Sequence, residues 1–118
     1  MSLLRAVALA VAAAAGGAGA IAAQAATACV EDTLPGRLAD APVRLCVDHG
    51  GGQPARYQLW LAGEVRVVGD EDAARQGLVG DWYGHPLRLR CTLEGGRHRC
   101  ALSVDGEAAW RTELELPR

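Results

Sequence analysis

Beyond residue 40 the chain alternates between apolar and other positions. Val43, Leu45 and Val47 recur at every second residue, so Val43 to Asp48 predicts a strand with one buried face. Arg56 to Ala62 repeats the pattern, with Tyr57, Leu59 and Leu61 on one face and Gln58 and Trp60 on the other. A turn is expected at Gly63-Glu64, and Val65 to Val68 returns. The stretch 69–81 is the least regular and predicts one helical turn at Glu71 to Gln76. Leu87 to Leu93, His98 to Val104 and Ala108 to Leu116 then predict a three-stranded meander. No long 3.6-residue apolar period occurs, which excludes a helical bundle. The expected fold is all-β: a small antiparallel barrel or sandwich of five to six short strands, closed by the C-terminal meander.

Pairing can be read from the turns. Gly95-Gly96 predicts a two-residue turn that sets Glu94 opposite Arg97 and Cys91 opposite Cys100. If the turn-closing pair is hydrogen-bonded, alternation makes Cys91 and Cys100 a non-hydrogen-bonded pair, whose closer Cα atoms suit a cross-strand disulfide. Cys29 and Cys46 then pair by elimination. At Asp105-Gly106 a strict two-residue turn would place Trp110 and Leu114 on the wrong face. A three-residue loop with a bulge at Gly106 is therefore expected, with Cys100 near Trp110, Arg99 opposite Arg111 and Arg97 opposite Glu113.

Composition changes the picture at the N-terminus. Residues 1–28 hold one charge, Arg5, and an apolar run from Ala6 to Ala23. Small-residue A-x-A sites follow, ending at Ala25 and at Ala28. This reads as a cleavable secretory leader over 1–28 and a single small domain over 29–118. Permanent anchoring and acylation at Cys29 are the competing readings. Four cysteines in a short exported chain indicate two disulfides and a periplasmic or secreted location. A zinc site from Cys91, Cys100 and His98 is the alternative.

The 118 residues carry a formal net charge of −2, and all twelve basic residues are Arg. A mildly acidic chain is not expected to bind nucleic acid, and no stable membrane span is expected after cleavage. No G-x-S-x-G elbow is present, and Ser103 is the one serine after the leader. The Gly50 to Gly52 run precedes another strand rather than a helix, so it reads as an inter-strand loop. No cofactor is expected. Asp48 with His49, and Asp81 with His85, are the acid–base pairs an enzyme would use, given that His49 and His85 converge.

Two surfaces are candidates for binding. Arg88 and Arg90, Arg97 and Arg99, and Arg111 alternate away from the apolar set of the meander and suit an anionic partner. Trp82, Tyr83 and His85 sit on a loop where aromatic rings can anchor a protein or a sugar. Trp60 is expected to be exposed unless its sheet is covered on both faces. The function expected is therefore binding of a protein or glycan in the cell envelope or outside the cell, an inhibitor of a hydrolase included. A small periplasmic hydrolase or metal-dependent enzyme, and a structural accessory subunit of an envelope complex, are the alternatives.

Overall fold

The computed structural model describes residues 25–35 and 40–115. Among them the order is β1 (Ala25–Leu34), β2 (Ala41–Gly50), β3 (Gln53–Leu61), β4 (Glu64–Asp70), α1 (Glu71–Gln76), β5 (Leu78–Trp82), β6 (His85–Glu94), β7 (Arg97–Val104) and β8 (Glu107–Glu115). Strands β1 to β4 form one antiparallel sheet in chain order, and β5 to β8 form a second. Eight strands replace the expected five to six. The additions are β1, whose first residues overlap the expected leader, and the five-residue β5, interrupted by Gly80. Residues 1–24 of the leader lie outside the described residues, and 25–28 run within β1.

Among the described residues, five two-residue turns close hairpins. Gly51-Gly52, Ala62-Gly63, Tyr83-Gly84, Gly95-Gly96 and Asp105-Gly106 all have positive φ at both positions. This backbone twist matches that of the flanking strands, and it explains the glycine in second place each time. The turn after β3 is thus Ala62-Gly63, one residue earlier than expected, with Leu61 opposite Glu64.

The β6–β7 register agrees with the expected one throughout, from Glu94–Arg97 through Cys91–Cys100 to Leu87–Val104. The β7–β8 register does not. Asp105 and Gly106 close a two-residue turn with Val104 opposite Glu107, and the bulge lies inside β8, beside Ala109. Past the bulge Trp110 faces Leu102, Thr112 faces Cys100, and Arg99 and Arg97 face Glu113 and Glu115. A bulge is needed, because Trp110 and Leu114 must reach the core, but the tight turn forms first and moves the extra residue into the strand.

Both sheets contribute their inner faces to one apolar core, including Leu45, Tyr57, Leu59, Leu89, Leu102 and Trp110. The disulfides Cys29–Cys46 and Cys91–Cys100 both form, each across a directly opposed pair with Cα atoms 4.1 Å apart. Cys91 and Cys100 face the core and are buried, whereas Cys29 is exposed. The bridges fit an oxidising compartment. They also remove the zinc alternative, since those sulfurs are bonded to each other.

The edges of the two sheets meet on both sides. A Cβ on Gly80 would lie 2.2 Å from the Arg66 carbonyl oxygen, and one on Gly69 would lie 2.2 Å from Leu78 Cδ2. Glycine at these positions lets β4 and β5 touch. On the other side the Trp110 indole N–H donates to Asp32 Oδ2 at 3.0 Å, joining β8 to β1. That bond, and then the Thr33 amide N–H, hold the Asp32 carboxyl below the usual carboxylate range. Helix α1 is capped by Asp70, which accepts from Ala73 N at 3.0 Å. It lies against β6 because Arg88 and Arg90 donate to the carbonyls of Gln76 and Arg75. No helix among the described residues is long and apolar enough to cross a membrane.

Candidate functional site

The large apolar side chains left exposed among the described residues are Val65 and Val68 on β4, Val79 on β5 and Tyr83 in the turn that follows. Val79 is 74% and Tyr83 75% exposed. A bulge sets Val65 and Arg66 together opposite Trp60, which turns Arg66 toward the β5–β6 turn. Its guanidinium lies 5.2 Å from the centre of the Tyr83 ring and pairs with Glu64. Trp82 meets Tyr83 edge-to-face at 5.4 Å and packs against the core on its other side.

The turn is braced from three directions. Asp81 Oδ2 accepts from Gly84 N at 3.1 Å. His85 Nδ1 lies 2.8 Å from Asp105 Oδ2, and Asp105 N donates to the Pro86 carbonyl at 2.9 Å. Tyr83 itself has φ +51°, a left-handed conformation that costs a bulky side chain energy and suits Asn, Asp or Gly. The structure therefore brings Trp82, Tyr83 and His85 together and adds Arg66. The sequence did not point to Arg66 because a bulge sets its direction.

The Arg face divides. Arg97 pairs with Glu113 and Glu115, and Arg99 with Glu94 and Glu113, so the expected Arg99–Arg111 opposition is replaced by neutralised pairs. Arg88 is engaged with α1. Arg90, Arg99 and Arg111 line one hollow of about 260 Å³ beside Ala101 and Thr92. Trp60 stands apart on the outer face of the first sheet. It is half-buried rather than exposed, with the Arg44 guanidinium 5.1 Å from its ring centre. Arg44 in turn pairs with Glu31 at 3.6 Å. These residues share a groove of about 410 Å³ with Asp32, Pro42 and Gly63.

The acid–base pairs are not assembled. Asp48 accepts from Thr27 Oγ1 at 2.6 Å, and Asp81 braces its turn while His85 goes to Asp105. His49 lies edge-to-face on His98, whose partner Leu93 is eight residues along β6 from His85. That is roughly 26 Å of extended strand, so His49 and His85 do not converge. Among the described residues no three of His, Cys, Asp and Glu are grouped to hold a metal ion.

One buried polar group was missed by the sequence reading. His98 is 0% exposed in the core, its Nδ1 is 2.7 Å from the Tyr57 hydroxyl, and its Nε2 has no hydrogen-bond partner among the described residues. Burial, then the neighbouring His49, hold the His98 pKa below the ordinary histidine value, while Glu71 opposes. Burial pushes the Tyr57 phenol up to about 12, with Glu71 adding to it. Strict alternation with Cys100 and Leu102 was the signal that His98 points inward.

No known protein family matches this chain, and neither the curated proteins nor the solved structures hold a match.

Proposed function

We propose that this is an exported binding domain that docks another envelope or extracellular protein on its β4–β5 edge, with Tyr83 as the anchor. The observation that carries this reading is the gathering of Val65, Val68, Val79 and Tyr83 on two neighbouring strands and their turn. Scattered single apolar residues are ordinary on a surface, but a gathered set points to a contact surface. Tyr and Arg are enriched where binding energy concentrates, and Arg66 rests on Tyr83. The strained backbone at Tyr83 supports the same reading, since such strain persists where function holds it. The apolar leader and the two disulfides support export. The contacts at β4–β5 and β1–β8 favour a small barrel over an open sandwich.

The test is affinity capture from envelope extract with the parent chain, Tyr83→Ala and Val79→Asp. The expected result is one protein retained by the parent and lost from both variants, each keeping its thermal transition. Equal retention by parent and variants overturns the reading.

A further inference from the structure

We propose that the hollow lined by Arg90, Arg99 and Arg111 is a binding site for a phosphoryl group, a phosphomonoester dianion. The site is built by the register of the second sheet. Ala101 is directly opposite Arg90 on one side and Arg111 on the other, so two outward arginines flank one small side chain. Their Cα atoms are two strand spacings apart, roughly 10 Å. Arg99 reaches the same hollow from two residues along β7, and Thr92 adds a hydroxyl. The hollow, about 260 Å³, is lined by these three arginines and by no acidic residue.

The charges there are incompletely compensated. Arg99 is paired from outside the hollow by Glu94 and Glu113. Arg90 donates one N–H to the Arg75 carbonyl, which carries no formal charge. Arg111 has no ion-pair partner among the described residues. Like charges gathered on one sheet face oppose folding unless something neutralises them. Here the unpaired excess is close to two positive charges.

The donor geometry selects the anion. A planar carboxylate has one charge and two oxygens, which one arginine fork satisfies. A phosphomonoester has nearly two charges and three terminal oxygens, and so uses forks arriving from separate directions. Free phosphate esters and phosphomonoester lipid headgroups share this chemistry.

The test is an NMR titration of the labelled chain with inorganic phosphate and with glycerol phosphate, against sodium chloride at matched ionic strength. The expected result is a saturable shift centred on Ala101 and the Arg111 side-chain N–H. Arg111→Ala weakens it about tenfold, the loss of one charge-assisted contact. Arg44→Ala, on the first sheet and paired there with Glu31, leaves it unchanged. Sedimentation with phosphatidylcholine vesicles containing phosphatidic acid separates the two sources. Arg111-dependent co-sedimentation assigns the lipid headgroup, and its absence beside saturable glycerol phosphate binding assigns a soluble ester. Shifts that match those of chloride, or that survive Arg111→Ala, overturn the proposal. Tyr83→Ala leaves phosphate binding intact, so this site and the protein-docking edge fail or stand separately.

Discussion

The hydroxyl of Tyr57 on β3 lies 2.7 Å from Nδ1 of His98 on β7, joining the two sheets through a polar contact inside an apolar core. Tyr57→Phe removes it and leaves a second polar atom of His98 buried without a partner. The expected loss is about 1–3 kcal/mol in urea unfolding.

His98 also makes stability depend on pH. Its pKa is lowered in the fold, by burial first and by His49 second. Unfolding restores the ordinary value, about 6.5. Between the two values the unfolded chain binds a proton that the folded chain does not. Stability is therefore full above that ordinary value and falls as the pH drops below it toward the folded one. The urea midpoint should fall from about pH 7.5 to about pH 5, and His98→Gln should flatten the fall. Parallel pH profiles for the two proteins would remove His98 as the cause.

Tyr83 sets stability against binding. Asn accepts the left-handed backbone with less strain, so Tyr83→Asn should raise stability by about 0.5–1 kcal/mol while abolishing partner capture. Calorimetry of parent and variant reads the first, and the affinity experiment reads the second. A lowered melting temperature would mean that the stacking of Tyr83 on Trp82 and Arg66 outweighs the strain.

Gly80 is where β5 touches β4. Its missing Cβ would meet the Arg66 carbonyl oxygen and Val67 Cγ2, neither of which is the far end of a flexible side chain. Gly80→Ala should cost about 1–3 kcal/mol of stability by thermal melting. A neutral result would show that the edges can part without loss.

The two disulfides differ in access. Cys29 is exposed, whereas Cys91 and Cys100 are buried. Graded reduction followed by alkylation and mass spectrometry should open Cys29–Cys46 first. Replacing either pair by Ala should cost about 2–4 kcal/mol. Simultaneous opening of both bridges would indicate that reduction follows global unfolding.

Alternation and turn chemistry made much of the fold legible. Gly95-Gly96 specified a register, and that register carried Cys91–Cys100, Leu89–Leu102 and Leu87–Val104 with it. The need for a bulge after β7 was legible, but its place inside β8 and the whole of the β4 bulge were not, because one extra residue leaves little trace in a short alternating pattern. Their effects reached the surface: the bulge in β8 put Glu113 opposite Arg99, and the one in β4 aimed Arg66 at Tyr83. β1 was hidden because Ala25 to Ala28 suit a peptidase site and a strand equally well. Trp82, Tyr83 and His85 could be grouped from sequence because they adjoin. Val65, Val68 and Val79 could not, since their exposure depends on where two sheet edges meet.

Strands that follow one another pair with one another in each sheet, and the disulfides link positions only 17 and 9 residues apart. A chain emerging N-terminus first into an oxidising space can complete each hairpin, and oxidise the two that carry cysteine pairs, before the next appears. The Asp32–Trp110 bond, spanning 78 residues, must wait for β8. Strand pairing is thus local, and the long-range closures are left to the contacts that join the sheets, Tyr57–His98 across 41 residues and then Asp32–Trp110, which keeps loop closure within each sheet short and limits the exposure of unpaired strand edges to neighbouring chains.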